Sequence, residues 1–451
     1  MTTMPTGFFW GNSTSSMQTE GFQGVRGKST YDLKKETTWE KTIDEYHRYP
    51  EDFDLMAEMG VNMYRFEISW ARVVPDGDGE FNEAGIQFYS DMIDALQARG
   101  IQPMIALYHF DMPLALAEKY NGFLSRHVVD AYVRYAKEII SRFADRVTYW
   151  LTFNEHNLYF TNMAYDIGGA INAEQSLDNL YQIFHHTMLA HAHVANFVHE
   201  QFNQLKIGGM LAYQVTYPAT SKPTDVFAAR RVDTFLNDNL LTMFTAGHYL
   251  PEVLAFVATH NIDMDYQPKD DAVLSKQTSD FIAFSYYRTD MLNADKIPDG
   301  TAPNRYLDIA NETNPYLTAN EWSWTIDPLG FRNALTSIYS RYQLPVFPVE
   351  NGLGWREEMT DDQMIQDDYR IQYHRDHIDA MKQAMIEDGT NVIGYLGWGL
   401  IDIPSSSGDM NKRYGAVYVN RTNEEERDMS RSKKASFDYL RDVFKSNGFN
   451  S

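Results

Sequence analysis

Two glutamates that follow short apolar segments are the residues of this sequence best suited to chemistry. Glu155 comes after the run Val147–Phe153, and Glu350 comes directly after Pro345–Val349. Both runs are typical of buried parallel strands. Carboxylates at the C-terminal ends of such strands are where barrel enzymes hold their catalytic groups. One glutamate of this kind is more often an ion-pair partner or a helix N-terminal charge, but two that face each other are the minimum needed to break a glycosidic bond.

The elements that would position these glutamates alternate between strand and helix along the whole chain. Helical periodicity is clear at Ile86, Tyr89, Ile93 and Leu96, which are spaced by three, four and three residues. A loop-rich insertion is predicted at residues 291–320. Eight predicted strands are Phe8–Asn12, Asn62–Ser69, Ile101–Tyr108, Val147–Phe153, Ile207–Tyr213, Phe281–Tyr287, Pro345–Val349 and Val392–Trp398. This alternation predicts an α/β fold, a closed (β/α)8 TIM barrel with elaborated βα loops, as a single catalytic domain over residues 1–451.

The charge and composition of the chain exclude several classes of function. The net charge is −23, from 39 Lys and Arg against 62 Asp and Glu, which argues against nucleic acid and anionic membranes as partners. Cysteine is absent, so disulfides, thiolate metal sites and a cysteine nucleophile are excluded. No apolar run is long enough to span a membrane, and Met1–Phe9 lacks the pattern of a signal peptide. We therefore expect a cytoplasmic protein.

No cofactor or metal is expected from the motifs. The sequence lacks a phosphate-binding P-loop and a dinucleotide glycine fingerprint. Histidines cluster at His185, His186, His191 and His193, but no two of them are three or four residues apart, as metal ligands on one helix face would be.

Polar and aromatic residues near the predicted strand ends could surround a sugar between the two glutamates. Arg65, on the second strand, could keep one carboxylate ionised while the other retains a proton; a buried ion pair that only seals the barrel would look the same. Each of these residues alone is also consistent with a structural role. Candidates for hydrogen bonds to hydroxyl groups are Gln18, His109, Asn154 and Tyr287, and candidates for stacking are Trp324 and Trp398.

Four segments, in this order, resemble the signatures of glycoside hydrolase family 1. They are Ser15–Gly21, Leu107–Pro113, Thr152–Glu155 and Val349–Gly352, and the resemblance extends over nearly the whole chain. It implies a retaining mechanism with Glu155 as acid/base and Glu350 as nucleophile. It also implies that Gln18, His109, Asn154 and Trp398 bind the glycone, whereas Trp324 lines the leaving-group side.

The segment after the last predicted strand departs from ordinary β-glucosidases of this family, which carry Glu-Trp where this chain has Ser405-Ser406. Ser405, Lys412 and Tyr414 resemble the phosphate loop of the 6-phospho-β-glycosidases. A glutamate at 405 would repel a phosphate, at a cost of roughly 4 kcal/mol for two unit charges about 4 Å apart at an effective dielectric of 20. Serine and tyrosine offer hydrogen-bond donors and lysine a positive charge. A polar loop with a solvated lysine is the alternative.

These features predict a retaining 6-phospho-β-glucosidase that acts on phosphorylated disaccharides or aryl glucosides. In this family the small residue Ser406 favours glucose over galactose. The alternatives are a 6-phospho-β-galactosidase, an unphosphorylated β-glucosidase, a transglycosylase and a non-catalytic sugar-binding protein. The expected partner is a small-molecule phosphorylated β-glucoside, and no oligomeric state is predicted.

Overall fold

The computed structural model describes residues 3–213, 215–359 and 364–449, so a few residues of the predicted domain, including both ends, lie outside it. In the described part, eight parallel strands close into a barrel in sequence order. The strands are β1 Phe9–Ser13, β2 Met63–Glu67, β3 Gln102–Ala106, β4 Tyr149–Leu151, β5 Lys206–Ala212, β6 Phe281–Tyr286, β7 Val346–Asn351 and β8 Gly394–Trp398. The predicted (β/α)8 barrel is therefore confirmed.

A helix follows each strand and packs on the outside of the barrel. These are α1 Glu45–Met59, α2 Glu83–Gln97, α3 Arg126–Phe143, α4 Leu177–Gln201, α5 Asn239–Ala246, α6 Pro328–Tyr342, α7 Asp368–Ile386 and α8 Ala435–Lys445. Further α-helices are Ser16–Thr19, Trp70–Val73, Leu114–Tyr120, Ala164–Ile167, Pro223–Val232, Pro251–Thr259, Asp270–Leu274 and Tyr306–Ala310. The 3-10 turns are Thr30–Leu33, Thr37–Trp39, Gly122–Leu124, His156–Phe160, Ala294–Lys296 and Pro303–Arg305, and Asp233–Asp238 is a π-helix.

No single helix among the described residues is both long and apolar enough to cross a membrane. The segments Pro223–Ala246 and Pro251–Thr259 pass that test only when taken together, and they are bent by 115° at the break between them.

The segment predicted as a loop-rich insertion contains regular structure. Strand Thr289–Leu292 pairs with Val215–Pro218 on one side and with Asn311–Glu312 on the other. This three-stranded sheet was not predicted, because its strands are short and their partners are distant in sequence. A second small sheet joins Val417–Val419 to Arg431–Lys433 beyond β8.

The alternation of side chains along the strands explains which residues reach the interior of the barrel. In β2, Tyr64 and Phe66 pack in the large core cluster that lies between the sheet and the helices. Met63 belongs to the separate cluster that fills the barrel, and with a period of two Arg65 and Glu67 point the same way. The interior cluster consists of Met63, Met104, Ala106, Leu151, Met210, Phe281, Ala283, Phe347, Val349 and Leu396. This apolar plug supports the polar groups above it.

The two glutamates are held differently at the C-terminal end of the barrel. Glu350 lies within β7, next to a shift in the pairing of β7 with β6 between Pro348 and Glu350. Such bulges re-aim side chains and are common beside active sites. Glu155 lies beyond the end of β4, which is shorter than the predicted strand, and it has a left-handed backbone with φ of 39°. A non-glycine residue in this conformation is uncommon and is found often at functional sites.

Candidate active site

The C-terminal ends of the strands open into a cavity of about 330 Å³ that both glutamates line. This end of the barrel is where the loops of such folds converge. The residues predicted from the sequence that line the cavity are Gln18, His109, Asn154, Glu155, Tyr287, Trp324, Glu350, Trp398, Ser406 and Tyr414. Arg65, Ser405 and Lys412 do not line it.

Glu350 is surrounded by donors that favour its ionised form. Arg65 donates from Nη1 to Oε1, and the hydroxyl of Tyr287 donates to Oε2 over 2.8 Å. Burial raises the pKa of Glu350, while Arg65 and Tyr287 act in the opposite direction. Both carboxylate oxygens are thus stabilised by specific partners, as a group that must act as an anion requires.

Glu155 is in an environment that favours its protonated form. Burial, followed by the negative charge of Glu350, raises the pKa of Glu155 to about 8. The hydroxyl of Ser285 lies 2.5 Å from Oε1 and lowers this pKa in part. The charge of Arg65 also acts on Glu155, but its guanidinium forms its ion pair with Glu350. At neutral pH, Glu155 therefore carries the proton of the pair.

Arg65 also orients the amide of Asn154, because it donates to Oδ1 over 2.7 Å. Nδ2 of Asn154 and Nδ1 of His109 are buried and have no hydrogen-bond partner among the described residues. Burial, with the charge of Arg65, lowers the pKa of His109 well below its usual range, so the imidazole is neutral. Buried polar groups without partners are rare, and both residues line the cavity. They are available to hydrogen-bond a ligand.

Gln18 differs from these two residues because both ends of its amide are already bonded. Oε1 accepts from the hydroxyl of Ser15 over 2.8 Å, and Nε2 donates to the carbonyl of Pro404 over 2.8 Å. Gln18 thus ties the loop after β1 to the loop after β8. A further contact to a sugar hydroxyl can use the second hydrogen of Nε2 or the second lone pair of Oε1.

Two residues that support the site were not identified from the sequence. Glu67 accepts hydrogen bonds from the backbone of His109 over 2.7 Å and of Ser16 over 3.0 Å, and so joins two βα loops. The sequence did contain a signal for Glu67: it lies two residues after Arg65 on β2, so the two side chains are on the same face of the strand. The contact of Ser285 with Glu155 spans 130 residues of sequence, so no local pattern indicates it.

The predicted phosphate set is divided between the cavity and the structure beside it. Ser406 and Tyr414 line the cavity, while Ser405 bonds to the hydroxyl of Ser407 over 2.9 Å. Lys412 is buried, with Nζ 3.3 Å from the ring centre of Trp324. In the part of the chain that the structure describes, Nζ forms no hydrogen bond or ion pair. Ser405 and Lys412 therefore lie next to the cavity wall rather than on its surface.

Burial and the nearby charge of Arg288 lower the pKa of Lys412 to about 8, and Asp409 acts in the opposite direction. With a pKa of about 8, Lys412 keeps its charge at neutral pH and loses its proton as the pH rises above 8. Its ammonium group is attracted to the face of Trp324, which is a typical cation–π contact.

A buried ion-pair network anchors the segment that carries Lys412. Arg413 donates to Asp402 over 3.0 Å, and Lys434 donates to the other oxygen of Asp402 over 2.9 Å. Lys434 also pairs with Glu357, which pairs in turn with Arg370. These contacts fix the backbone on the C-terminal side of Lys412.

Three of the four clustered histidines of α4 have hydrogen-bond partners. His185 lies 3.0 Å from Asp270, His186 lies 3.0 Å from Asp265, and His191 lies 2.7 Å from the hydroxyl of Thr152. Among the described residues, no group of three or more His, Asp or Glu side chains is arranged to hold a metal ion.

Comparison with known proteins agrees with this geometry. The sequence model of Glycosyl hydrolase family 1 matches residues 1–449. The aryl-phospho-beta-D-glucosidase BglH of Bacillus subtilis (strain 168) is 39% identical over 466 aligned residues, which cover 98% of each chain. The phospho-cellobiase of Klebsiella oxytoca is 38% identical over 469 residues, which cover 99% of each chain.

Among solved structures, a mutant rice beta-glucosidase in a covalent complex with Glc superimposes with a TM-score of 0.87 at 29% identity. The match covers 97% of this chain and 98% of the rice chain. The match of the family model, the near full-length relatives and the shared barrel agree. The chain belongs to Glycosyl hydrolase family 1.

Proposed function

We propose that this protein is a retaining 6-phospho-β-glucosidase, with Glu350 as nucleophile and Glu155 as acid/base. The observation that carries the proposal is the contrast between the two glutamates of one cavity. Glu350 has Arg65 and Tyr287 on its two oxygens, while the pKa of Glu155 is raised to about 8. One carboxylate and one carboxylic acid on the same cavity are what this chemistry requires.

In the first step, Glu350 attacks the anomeric carbon and the bond to the leaving oxygen breaks. The proton of Glu155 passes to that oxygen, so the alcohol leaves neutral. In the second step, the ionised Glu155 takes a proton from water, whose oxygen attacks the same carbon and displaces Glu350. Glu155 is then protonated again and both glutamates regain their first state.

The sugar is held by the groups that line the cavity. His109 and Asn154 supply unpaired nitrogen atoms, and Gln18 borders the glycone. Trp398 lies beside His109, with ring centres 5.7 Å apart and ring planes tilted by 31°. Trp324 borders the leaving group. The whole chain acts as one catalytic domain in the cytoplasm, which suits a protein without cysteine.

A 6-phosphate on the glucose is proposed from Ser405, Lys412 and Tyr414, together with Ser406 in place of a bulky residue. Nζ of Lys412 has no carboxylate partner among the described residues and can move from Trp324 to an anion. Relatives that are 38–39% identical over nearly their full length are named for phosphorylated substrates. A plain β-glucosidase is the competing assignment, since the solved structures that match include beta-glucosidases.

The direct test is the initial rate on a chromogenic β-glucoside with and without a 6-phosphate, at pH 7. We expect kcat/KM to be at least about tenfold higher for the phosphorylated substrate, because a single charge-assisted hydrogen bond contributes roughly 1.5–3 kcal/mol. The 6-phospho-β-galactoside, assayed in parallel, should react more slowly. Equal rates with and without the phosphate would contradict the proposed specificity and indicate a plain β-glucosidase.

The pH profile provides a separate prediction for Glu155. The acid must be protonated, so kcat/KM for a substrate with a poor leaving group should fall tenfold per pH unit above a pKa of about 8. The assay uses an unphosphorylated substrate, so that the loss of the proton of Lys412 does not contribute to the pH profile. Ser285→Ala removes a hydrogen bond that stabilises the ionised form, so the pKa of Glu155 rises and the alkaline limb moves to higher pH.

The control is an activated aryl glucoside, whose phenol leaves without protonation and should show no such limb. If the limb persisted with that substrate, or moved to lower pH in Ser285→Ala, Glu155 would not be the acid.

A further inference from the structure

Arg288 lines the active-site cavity, although it belongs to none of the sequence motifs described above. It directly follows Tyr287, whose hydroxyl donates to the carboxylate of Glu350. Its guanidinium carbon lies 5.6 Å from the ring centre of Trp324. Arg288 therefore lies next to a residue that contacts Glu350, and it borders the same tryptophan that contacts Lys412.

Two cations thus share one aromatic ring, since Nζ of Lys412 lies 3.3 Å from the centre of Trp324. They are close enough for the charge of Arg288 to lower the pKa of Lys412. Holding two like charges together is unfavourable unless an anion compensates them. The pair is the more notable in a chain whose net charge is −23.

The nearby carboxylates compensate this pair of cations only in part. Asp290 is 3.6 Å from Nε of Arg288, which is longer than a charge-assisted hydrogen bond, and the same oxygen accepts from Asn311 over 2.8 Å. Asp409 acts on Lys412 only at a distance, and its Oδ1 accepts from Asn423 and from the backbone of Asn411. Within the described residues, Lys412 forms no ion pair, and the only ion pair of Arg288 is the 3.6 Å contact with Asp290.

We infer that Arg288 and Lys412 together bind the 6-phosphate of the substrate, Arg288 from the loop after β6 and Lys412 from the loop after β8. A phosphate carries close to two negative charges at neutral pH, which matches two cations. The guanidinium of Arg288 can donate two parallel hydrogen bonds, while Lys412 acts as a point charge. Arg288 has 42% of its side chain exposed, so it can turn towards a ligand in the cavity. This inference rests on the proposed function and adds a residue to it.

The test is Arg288→Met, which keeps the length and apolar stem of the side chain and removes the charge. The measured quantity is the ratio of kcat/KM for the phosphorylated chromogenic β-glucoside to kcat/KM for the unphosphorylated one. We expect this ratio to fall about tenfold in Arg288→Met. Arg356→Met is the matched control, because Arg356 also lies over a tryptophan, 5.9 Å from Trp322, but does not line the cavity. Its ratio should equal that of the wild type.

The pH dependence of the same ratio gives a second readout. In the wild type the ratio should decline above pH 8 as Lys412 loses its proton. Removing the charge of Arg288 raises the pKa of Lys412, so in Arg288→Met the smaller preference that remains should persist to higher pH. Asp409 and Asp290, the carboxylates nearest the pair, are unchanged in this comparison.

The possible failures can be told apart. A wild-type ratio near one contradicts the proposed function itself. A large wild-type ratio that Arg288→Met leaves unchanged contradicts only the role of Arg288. An equal loss of kcat/KM on both substrates would assign Arg288 to the leaving group or to the fold, and would also overturn the inference.

Discussion

Glu350→Gln should abolish turnover of every substrate, because the amide cannot form the glycosyl-enzyme bond. The substitution preserves the size of the side chain and its contact with Tyr287, but it removes the negative charge that Arg65 pairs with. Since the nucleophile takes part in both steps, no leaving group can compensate for its loss. The measurement is kcat on a phosphorylated aryl glucoside with an acidic phenol.

Glu155→Gln should behave differently on the same substrate. An acidic phenol leaves without protonation, so the first step is spared and a burst of phenol is released. The second step then lacks its base, and steady-state turnover should fall by about 10²–10⁴-fold, the usual contribution of general acid–base catalysis. Azide needs no deprotonation, so it should restore turnover in Glu155→Gln and leave Glu350→Gln inactive.

The control for both variants is Glu118→Gln, which changes an exposed glutamate on the short helix Leu114–Tyr120. Its activity should match the wild type. Retention further requires the carboxyl groups to be about 5–5.5 Å apart and the first-formed sugar to be the β-anomer by NMR. Equal loss in both variants with glycosylation rate-limiting, or an α-anomer formed first, would overturn the assignment of roles.

Lys412→Met should weaken the preference for the phosphorylated substrate by about one to two orders of magnitude. The methionine keeps the apolar contact with Trp324 and removes the charge, so the loss reports on the phosphate contact. A charge-assisted hydrogen bond contributes roughly 1.5–3 kcal/mol, and 1.4 kcal/mol corresponds to tenfold. Lys412→Ala should lose as much preference and, in addition, the packing on the ring. The measurement is the ratio of kcat/KM for the two chromogenic substrates.

Ser405→Glu should have a larger effect, because it introduces a negative charge beside the phosphate, at roughly 4 kcal/mol per pair of unit charges at an effective dielectric of 20.

The matched control for Lys412→Met is Lys137→Met, since Lys137 also lies over an aromatic ring, 5.2 Å from Phe197, on the outer helix α3. If Lys412→Met left the ratio unchanged, the phosphate would have to be bound elsewhere.

Most of the barrel was predictable from the sequence, because strands that are buried on both faces appear as continuous apolar runs. The eight predicted strands overlap the eight observed ones, and Glu155 and Glu350 line one cavity at the predicted end of the barrel. The ends of strands were less predictable. For β4, three residues pair although seven were predicted, because hydrogen bonding to neighbouring strands decides where a strand stops.

The sequence by itself determined the fold, the two glutamates and the composition of the loop that carries Ser405, Lys412 and Tyr414, because these follow from local patterns and ordered motifs. Only the tertiary structure decided which groups surround them. Ser285 meets Glu155 from another strand, Glu67 joins two loops, and Arg288 shares Trp324 with Lys412. The raised pKa of Glu155 likewise depends on burial and on the charge of a distant residue. Such contacts join residues far apart in sequence, so closure of the barrel alone brings them together.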